Sequence, residues 1–385
     1  MSQWPMVKLG DVCRPVSNRG DKDDLEVYSV TKHNGFVLSS EYFKKQVFSK
    51  NTKNYKICER DDFAYATIHL DEGSIGFSPE RCLISPMYTV FRPDYTKVDK
   101  TYLLYLLKSE RSIAQYSILG SGSVERRKSI KFNDLAKLQF PLPPLDEQRR
   151  IAEILKRSSQ QISNARQKLD HLLMISLNTM DAHFTAEAVA GDRGWSQIGD
   201  FVISTQYGTS KKANEPQGIP VLRMGNITYE GELDLKDLKY VELDELERKK
   251  FNLKNGDILF NRTNSPELVG KTTVYDSQSE MTFAGYLVRV RTSEDARPEY
   301  ISGFLNSSYG KAYLRNQAKS IVGMANINAK EFLKIPIPSA NESEQGVFSS
   351  LYIHCRSQIN LVRKKITLLE ELHQSLATRA FAGQL

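Results

Sequence analysis

The amino-acid sequence predicts an α+β fold: two similar mixed α/β domains separated by two long helices, which form an antiparallel coiled coil. Three observations predict it: two copies of a proline-rich segment, strand-like runs before each copy, and a heptad pattern after each copy. Together they indicate a pseudo-two-fold internal repeat, because self-similarity at a long fixed period is the mark of a repeated structural unit.

The repeat is most visible in the proline-rich segments, FPLPPLDEQ at residues 140–148 and IPIPSANESEQ at residues 335–345. Aligning the first two prolines of each copy brings the shared Glu-Gln pairs together, with two extra residues in the second copy. The match extends to YLLYLLKSE and YISGFLNSS, and to KLGDV and QIGDFV. Two related halves are therefore joined in one chain.

Strands are predicted in the segment that precedes each proline-rich copy. Short β-branched or aromatic runs bounded by Gly, Pro, Asn or Asp are typical of strands, and they occur at residues 87–91, 256–260 and 286–291. The domains are accordingly placed at residues 1–146 and 191–343, and the helical regions at residues 147–190 and 344–385.

Each proline-rich segment leads into a long helix with apolar or small residues at alternating spacings of four and three, the heptad seam of a coiled coil. A single such helix could instead pack on its own domain, but the duplication favours pairing of the two helices. The pairing is expected to be antiparallel, because a whole domain lies between them in the chain. The seam and candidate subunit interface comprise Ile151, Leu155, Ile162, Leu169, Leu172, Ile359, Val362, Ile366 and Leu369.

Composition narrows the class of protein. The chain has 53 Lys and Arg against 46 Asp and Glu, a net charge of +7 that permits a polyanionic partner. Its apolar runs are too short for a membrane span, and its N-terminus resembles neither a signal nor a transit peptide, so a cytoplasmic location is expected. Four scattered cysteines without a CxxC pair argue against a zinc ribbon or a disulfide framework.

Candidate nucleic-acid contacts are basic and polar residues gathered in loops, since Lys and Arg neutralise phosphates and Arg also reads guanine edges. Solvated surface charge or simple turns remain the alternatives, and for Arg127 an ion pair with Glu125 or Asp134. The candidates are Lys32, Asn34, Ser123, Arg126, Arg127, Lys128, Lys211, Lys212, Arg223, Asn226, Arg262, Lys271, Lys319 and Asn326.

No catalytic, cofactor or metal site is predicted. The segment ILFNRTNSPELVGKTT imitates a phosphate-binding loop, but Ser265 replaces the first glycine and TTVY indicates a strand where a helix should begin. The six histidines show no ligand spacing. An amino-methyltransferase would need an Asn or Asp before two prolines and an aromatic residue, and the chain's one double proline lies between leucines.

The segment FPLPPLDEQRRIAEIL, the segment LVGKTTVY and the final RAFAGQL resemble the specificity subunit of a type I restriction-modification system. The resemblance covers essentially the whole chain. It implies two target-recognition domains alternating with two conserved helices, in a non-catalytic subunit that reads a bipartite, asymmetric double-stranded DNA target. The implied partners are adenine-N6 methyltransferase subunits and, through them, restriction subunits. The alternative is a coiled-coil assembly scaffold whose globular halves bind protein rather than DNA.

Overall fold

The structure is a computed structural model that describes residues 4–19, 25–49, 51–68, 70–119, 129–190, 194–213, 217–317, 319–321 and 324–385. It divides into two compact units, one of Met1–Asn164 with Lys365–Leu385 and the other of Ala165–Lys364. Each unit therefore combines one globular half, the beginning of the long helix that follows it, and the end of the other long helix.

Unit 1 contains the first ten strands and the first helices. The strands are β1 (Met6–Lys8), β2 (Cys13–Val16), β3 (Val27–Thr31), β4 (Gly35–Leu38), β5 (Lys56–Cys58), β6 (Phe63–Ala66), β7 (Ile75–Phe77), β8 (Cys82–Ile84), β9 (Tyr88–Pro93) and β10 (Gln139–Pro141). The helices are α1 (Ser39–Tyr42), α2 (Lys100–Leu107), α3 (Glu110–Leu119), α4 (Phe132–Leu135) and the first part of α5 (Leu145–Ala190).

Unit 2 contains the remaining elements. Its strands are β11 (Trp195–Gln197), β12 (Val202–Tyr207), β13 (Ile219–Leu222), β14 (Lys239–Val241), β15 (Ile258–Asn261), β16 (Thr263–Asn264), β17 (Thr272–Val274), β18 (Thr282–Phe283), β19 (Leu287–Thr292), β20 (Lys319–Ile321), β21 (Met324–Asn326) and β22 (Pro336–Pro338). Its helices are α6 (Glu245–Phe251), α7 (Pro298–Asn306), α8 (Ser308–Gln317), α9 (Ala329–Leu333) and the first part of α10 (Glu342–Ala382).

The sheets of the two units repeat one another, which confirms the α+β fold and the internal repeat. The order β2-β9-β6-β7 in unit 1 corresponds to β12-β19-β15-β17 in unit 2, and every pair in both sheets is antiparallel. A second sheet in each unit contains one parallel pair, β3 with β8 and β13 with β18. The strands predicted from residues 87–91, 256–260 and 286–291 are β9, β15 and β19.

The alignment of the two proline-rich segments predicted from the sequence is wrong by two residues. Strand β1 pairs Met6 with Pro141, and β11 pairs Trp195 with Pro338, so Pro141 corresponds to Pro338. The same offset of 197 residues relates Gln148 to Gln345, so the second segment has no insertion. The error arose because each copy has two prolines two residues apart, and the sequence pairs them in the wrong register.

One buried glutamine attaches α5 to the globular part of unit 1. The side-chain oxygen of Gln148 accepts a hydrogen bond from the backbone N–H of Asp99 (2.8 Å), the N-cap residue of α2. Its amide nitrogen donates to the carbonyl oxygens of Lys97 (2.9 Å) and Pro143 (2.8 Å). The fully buried amide is thereby satisfied, and it links the proline-rich segment, the long helix and the domain.

Unit 2 repeats this attachment with different neighbours. Gln345 accepts from the backbone N–H of Arg297 (2.9 Å), the N-cap of α7, and donates to the carbonyl of Ala340 (2.9 Å). The prolines of the first segment are thus dispensable for the contact, since alanine supplies the equivalent carbonyl.

A buried tyrosine adds a second repeated contact beside each glutamine. The hydroxyl of Tyr102 donates to the carbonyl of Pro141 (2.8 Å), and that of Tyr300 donates to the carbonyl of Pro338 (3.1 Å). Strand β10 is therefore fixed to helix α2, and strand β22 is fixed to helix α7.

The two long helices pack against each other in antiparallel fashion in each unit. In unit 1, Ser158 of α5 hydrogen-bonds His373 of α10 (2.6 Å). In unit 2, the ring centroids of Phe184 and Phe348 lie 4.9 Å apart. Helix α5 begins at Leu145, two residues before the predicted start. None of the described helices is long and apolar enough to cross a membrane.

The end of each long helix also enters the core of a globular half. Phe381 of α10 packs edge-on against Tyr102, and Phe184 of α5 packs edge-on against Tyr300. Phe184 and Phe381 differ by the repeat offset of 197 residues, so the exchange of helix ends is reciprocal.

We expect Gln148→Ala and Gln345→Ala each to lower the free energy of unfolding by about 1–3 kcal/mol, because each leaves buried backbone groups unpaired. The measurement is denaturant unfolding. Gln160→Ala is the matched control, since that exposed α5 side chain bonds only Asn164, and its effect should stay within about 0.5 kcal/mol. Losses no greater than the control's would contradict the structural role of the buried glutamines.

Candidate nucleic-acid interface

Five segments of unit 2 surround a cavity of about 800 Å³, here called the loop cavity. They are residues 209–213, 223–226, 234–237, 262–263 and 284–286, distant in sequence but adjacent at the ends of β12, β13, β15 and β18. Antiparallel and parallel pairing brings these ends to one edge of the domain. The loop cavity is thus a product of sheet topology.

Five of the predicted contact residues line the loop cavity: Lys211, Lys212, Arg223, Asn226 and Arg262. Their convergence was not derivable from their positions in the sequence. Lys236 and Tyr286 also line it and were missed, because single polar or aromatic residues in a loop carry no pattern.

Arg223 and Asn226 hold the cavity loop together. The backbone N–H of Arg223 donates to the Asn226 side-chain oxygen (2.9 Å), and the Asn226 amide donates to the carbonyls of Asp234 (2.9 Å) and Asp237 (3.2 Å). Arg223 itself donates to the carboxylate and the carbonyl of Asp237, both at 2.9 Å. Both side chains are therefore engaged within the protein.

Lys271 lies behind the loop rather than in the cavity. Its ammonium group donates to the carbonyl of Met224 (2.7 Å) and to that of Ile227. Burial lowers the pKa of Lys271 below its ordinary value. Thr272, which follows it, is fully buried in β17, so the resemblance to a phosphate-binding loop does not extend to the structure.

The remaining candidates of unit 2 have mixed surroundings. Lys211 forms an ion pair with Glu247, Lys212 is exposed, and the Asn326 side chain accepts a hydrogen bond from Thr263 (2.8 Å). The side chain of Lys319 lies outside the described residues, although its backbone belongs to β20.

In unit 1, Lys32 and Asn34 are exposed at the turn between β3 and β4. This turn follows β3 as the Arg223 loop follows β13, and both strands pair in parallel with a later strand. The other candidates of this half, Ser123, Arg126, Arg127 and Lys128, lie outside the described residues.

Every predicted seam position of the long helices is buried or partly buried. The fully buried ones are Ile151, Leu155, Ile359 and Val362, and the partly buried ones are Ile162, Leu169, Leu172, Ile366 and Leu369. Sequence analysis missed a second apolar face on α10 in unit 2. Val347, Leu351 and Leu361 are 72%, 47% and 59% exposed, and their spacing places them on one side of the helix.

Within the described ranges, no group of three or more His, Cys, Asp or Glu residues is arranged to hold a metal ion. The loop cavity is instead lined by side chains that donate hydrogen bonds. Lysine and arginine side chains at its wall suit an anionic or acceptor-rich ligand.

Comparison with known proteins gives consistent matches. The type I restriction modification DNA specificity domain family matches residues 1–173 and 194–371. The EcoKI specificity subunit of Escherichia coli K12 is 25% identical over 329 residues, covering 80% of this chain and 70% of that protein. The MjaVIII specificity subunit of Methanocaldococcus jannaschii is 24% identical over 407 residues, covering 99% of this chain and 93% of that protein.

Two solved structures have a similar fold. The type I restriction-modification S subunit from M. genitalium gives a TM-score of 0.59 at 13% identity, over 99% of this chain and 96% of that one. A chain from a study of assembly and conformational transition in a type I system gives 0.56 at 18% identity, over 99% and 98%.

We expect Lys271→Met to loosen the cavity loop, because two carbonyl groups lose their charged donor. Amide hydrogen exchange at residues 224–228 should accelerate, and thermal stability should fall. Lys212→Met, which removes an exposed lysine from the wall of the loop cavity, is the control and should change neither. Unaltered exchange in Lys271→Met would show that its ammonium does not anchor the loop.

Proposed function

The chain belongs to the type I restriction-modification DNA specificity family, and from that premise we propose that its two globular halves read the two parts of a bipartite, asymmetric DNA target. It is a DNA-recognition subunit. The chain itself is proposed to be non-catalytic and to serve a cytoplasmic complex whose methyltransferase and endonuclease activities reside in other subunits.

The observation that carries the proposal is one scaffold presenting different side chains. Thr67 follows β6 and Arg262 follows β15, and the carbonyl of each accepts a hydrogen bond from an isoleucine: Ile130 (3.0 Å) or Ile327 (2.9 Å). The two positions are structurally equivalent, yet one carries a small hydroxyl and the other a guanidinium group. Domains built alike but lined differently suit two unlike half-sites.

The charge at the loop cavity supports DNA as the ligand. Lys212 and Lys236 are exposed at its wall and suit contacts with phosphates. In the first half, Lys32, Asn34, Ser123, Arg126, Arg127 and Lys128 remain proposed contacts.

The exposed apolar face of α10 supports a protein partner on the helices. Val347, Leu351 and Leu361 are exposed on one side of the helix, and exposed apolar side chains rimmed by polar residues are typical of protein–protein contact sites. We assign this face to a methyltransferase subunit, which would in turn bind a restriction subunit. Helix α10 thereby serves two purposes: its seam pairs with α5, and its outer face receives the partner.

We expect the exchange of residues 191–343 for the equivalent segment of a relative to change one half-site only. Reading determinants lie within each globular half, so the other half-site and the spacer should persist. Mapping methylated adenines in DNA of the host that carries the exchanged chain is the measurement. Reciprocal exchange of residues 1–146 should alter the opposite half-site. A change in both half-sites from a single exchange would contradict modular reading.

We expect the double variant Leu351→Glu with Leu361→Glu to lose co-purification with the methyltransferase subunit, because two charges would enter an apolar interface. Thermal stability should change little, since both side chains are exposed. Gln161→Glu with Gln167→Glu adds the same charge at exposed sites of α5 and should retain the partner. Equal binding by both double variants would remove the partner from this face.

The alternative, a scaffold whose globular halves bind protein, makes a different prediction for DNA. A gel shift with the methyltransferase subunit present should show sequence-selective, salt-sensitive binding if the chain reads DNA. Absence of binding at low salt would favour the scaffold.

A further inference from the structure

The two arginines that line the loop cavity differ in how their charge is balanced. Arg223 is paired with Asp237 at 2.9 Å, while no carboxylate of the described residues forms an ion pair with Arg262. Lys211, which also lines the cavity, is paired with Glu247. Arg262 therefore combines a lining position, a guanidinium group and a charge that the described part of the domain does not neutralise.

The backbone of Arg262 is fixed on both sides. Its N–H donates to the carbonyl of Tyr286 (3.0 Å), and its carbonyl accepts from the N–H of Ile327 (2.9 Å). These bonds connect the end of β15 to the start of β19 and to the residue after β21. The side chain consequently starts from a defined point on the cavity wall.

The guanidinium group is also oriented. Its central carbon lies 4.9 Å from the ring centroid of Tyr207, a cation–π contact, and its Nη1 makes a single long hydrogen bond to the carbonyl of Gly285 (3.5 Å). The ring is held in turn, because the Tyr207 hydroxyl accepts from the N–H of Ala329 (3.0 Å). Among the described residues neither Nε, which is buried, nor Nη2 has a hydrogen-bond partner, so the Nη1–Nη2 end of the group is the one that can receive a ligand.

A flat cationic fork selects a pair of acceptors side by side. Double-stranded DNA offers two such pairs: the N7 and O6 atoms of guanine in the major groove, and the oxygens of a phosphate. Exposed lysine side chains such as Lys212 and Lys236 suit contacts with phosphates. Arg262 is partly buried and held in one orientation, which suits the discrimination of a base edge.

We propose that Arg262, supported by the Tyr207 ring, reads one guanine in the half-site recognised by unit 2. This inference rests on the proposed function of the chain. Thr67 occupies the equivalent place in unit 1 and has no bidentate donor, so this particular contact has no counterpart there. Tyr207 is a positioning residue, since it acts through the arginine.

The experiment uses the complex of the full chain with its methyltransferase subunit and a double-stranded DNA library with randomised half-sites. Selection with the wild-type complex defines both half-sites, and the exchange of residues 191–343 identifies which belongs to unit 2. Arg262→Ala and Arg262→Lys are then selected in parallel. Both should lose the preference for guanine at one position, by roughly 5- to 150-fold, and keep every other preference.

A second measurement changes the DNA rather than the protein. Replacement of the selected guanine by 7-deazaguanine removes the N7 acceptor, and it should weaken wild-type binding while leaving Arg262→Ala unaffected. Lys236→Ala is the matched rim variant, and it should weaken binding to all sequences alike and reduce the salt dependence. The 7-deazaguanine measurement on the wild-type complex remains decisive if a substitution at Arg262 impairs folding.

The outcomes separate the inference from the proposed function. An unchanged motif in both Arg262 variants, a half-site without guanine, or a sequence-independent loss with a shallower salt dependence would overturn the guanine assignment and leave DNA reading intact. Failure of the wild-type complex to select any sequence would overturn both.

Discussion

The buried glutamine at the start of each long helix is the contact on which the arrangement of each half depends. Gln148 and Gln345 each join three parts of the chain: the proline-rich segment, the long helix α5 or α10, and the N-cap of α2 or α7. Backbone groups at a helix N-terminus have no partner within the helix, so a fixed side-chain acceptor there gives direction as well as stability. Each long helix accordingly leaves its domain along one path.

The reciprocal packing of helix ends makes each globular half depend on both long helices. Phe184 and Phe381 enter aromatic contacts around Tyr300 and Tyr102. Unit 2 has an additional anchor, in which Arg356 and Arg363 lie 3.6 and 3.3 Å from the Glu232 carboxylate. Burial raises the pKa of Glu232, against the opposing effect of the two arginines. Ser159 stands at the place of Arg356 in the first half, so the first half lacks this arginine.

The features that rest on regular sequence patterns could be predicted. Those that depend on distant segments meeting in the folded chain could not. Repeated prolines, the Glu-Gln pair and heptad spacing identified the repeat and the helices. The same prolines misplaced the second segment, because register is decided by pairing with β1 and β11. The loop cavity was hidden, since its lining comes from five separate segments. Whether a lysine is a ligand contact or an internal anchor, as Lys271 is, depends on carbonyls contributed by residues more than forty positions away.

Our central proposal is that the lengths of α5 and α10, each of which belongs to both units, set the spacer between two different half-sites. Its most direct test inserts four residues into α5 after Asn164 and four into α10 after Lys364, where the two compact units divide, so that each unit keeps its own helix contacts. The insertion adds ~6 Å of helix, or roughly two base-pair steps of DNA. Selection from DNA with randomised spacers should then recover both original half-sites with a spacer longer by about two base pairs. Recovery of the original spacer as the sole preferred length would contradict the claim.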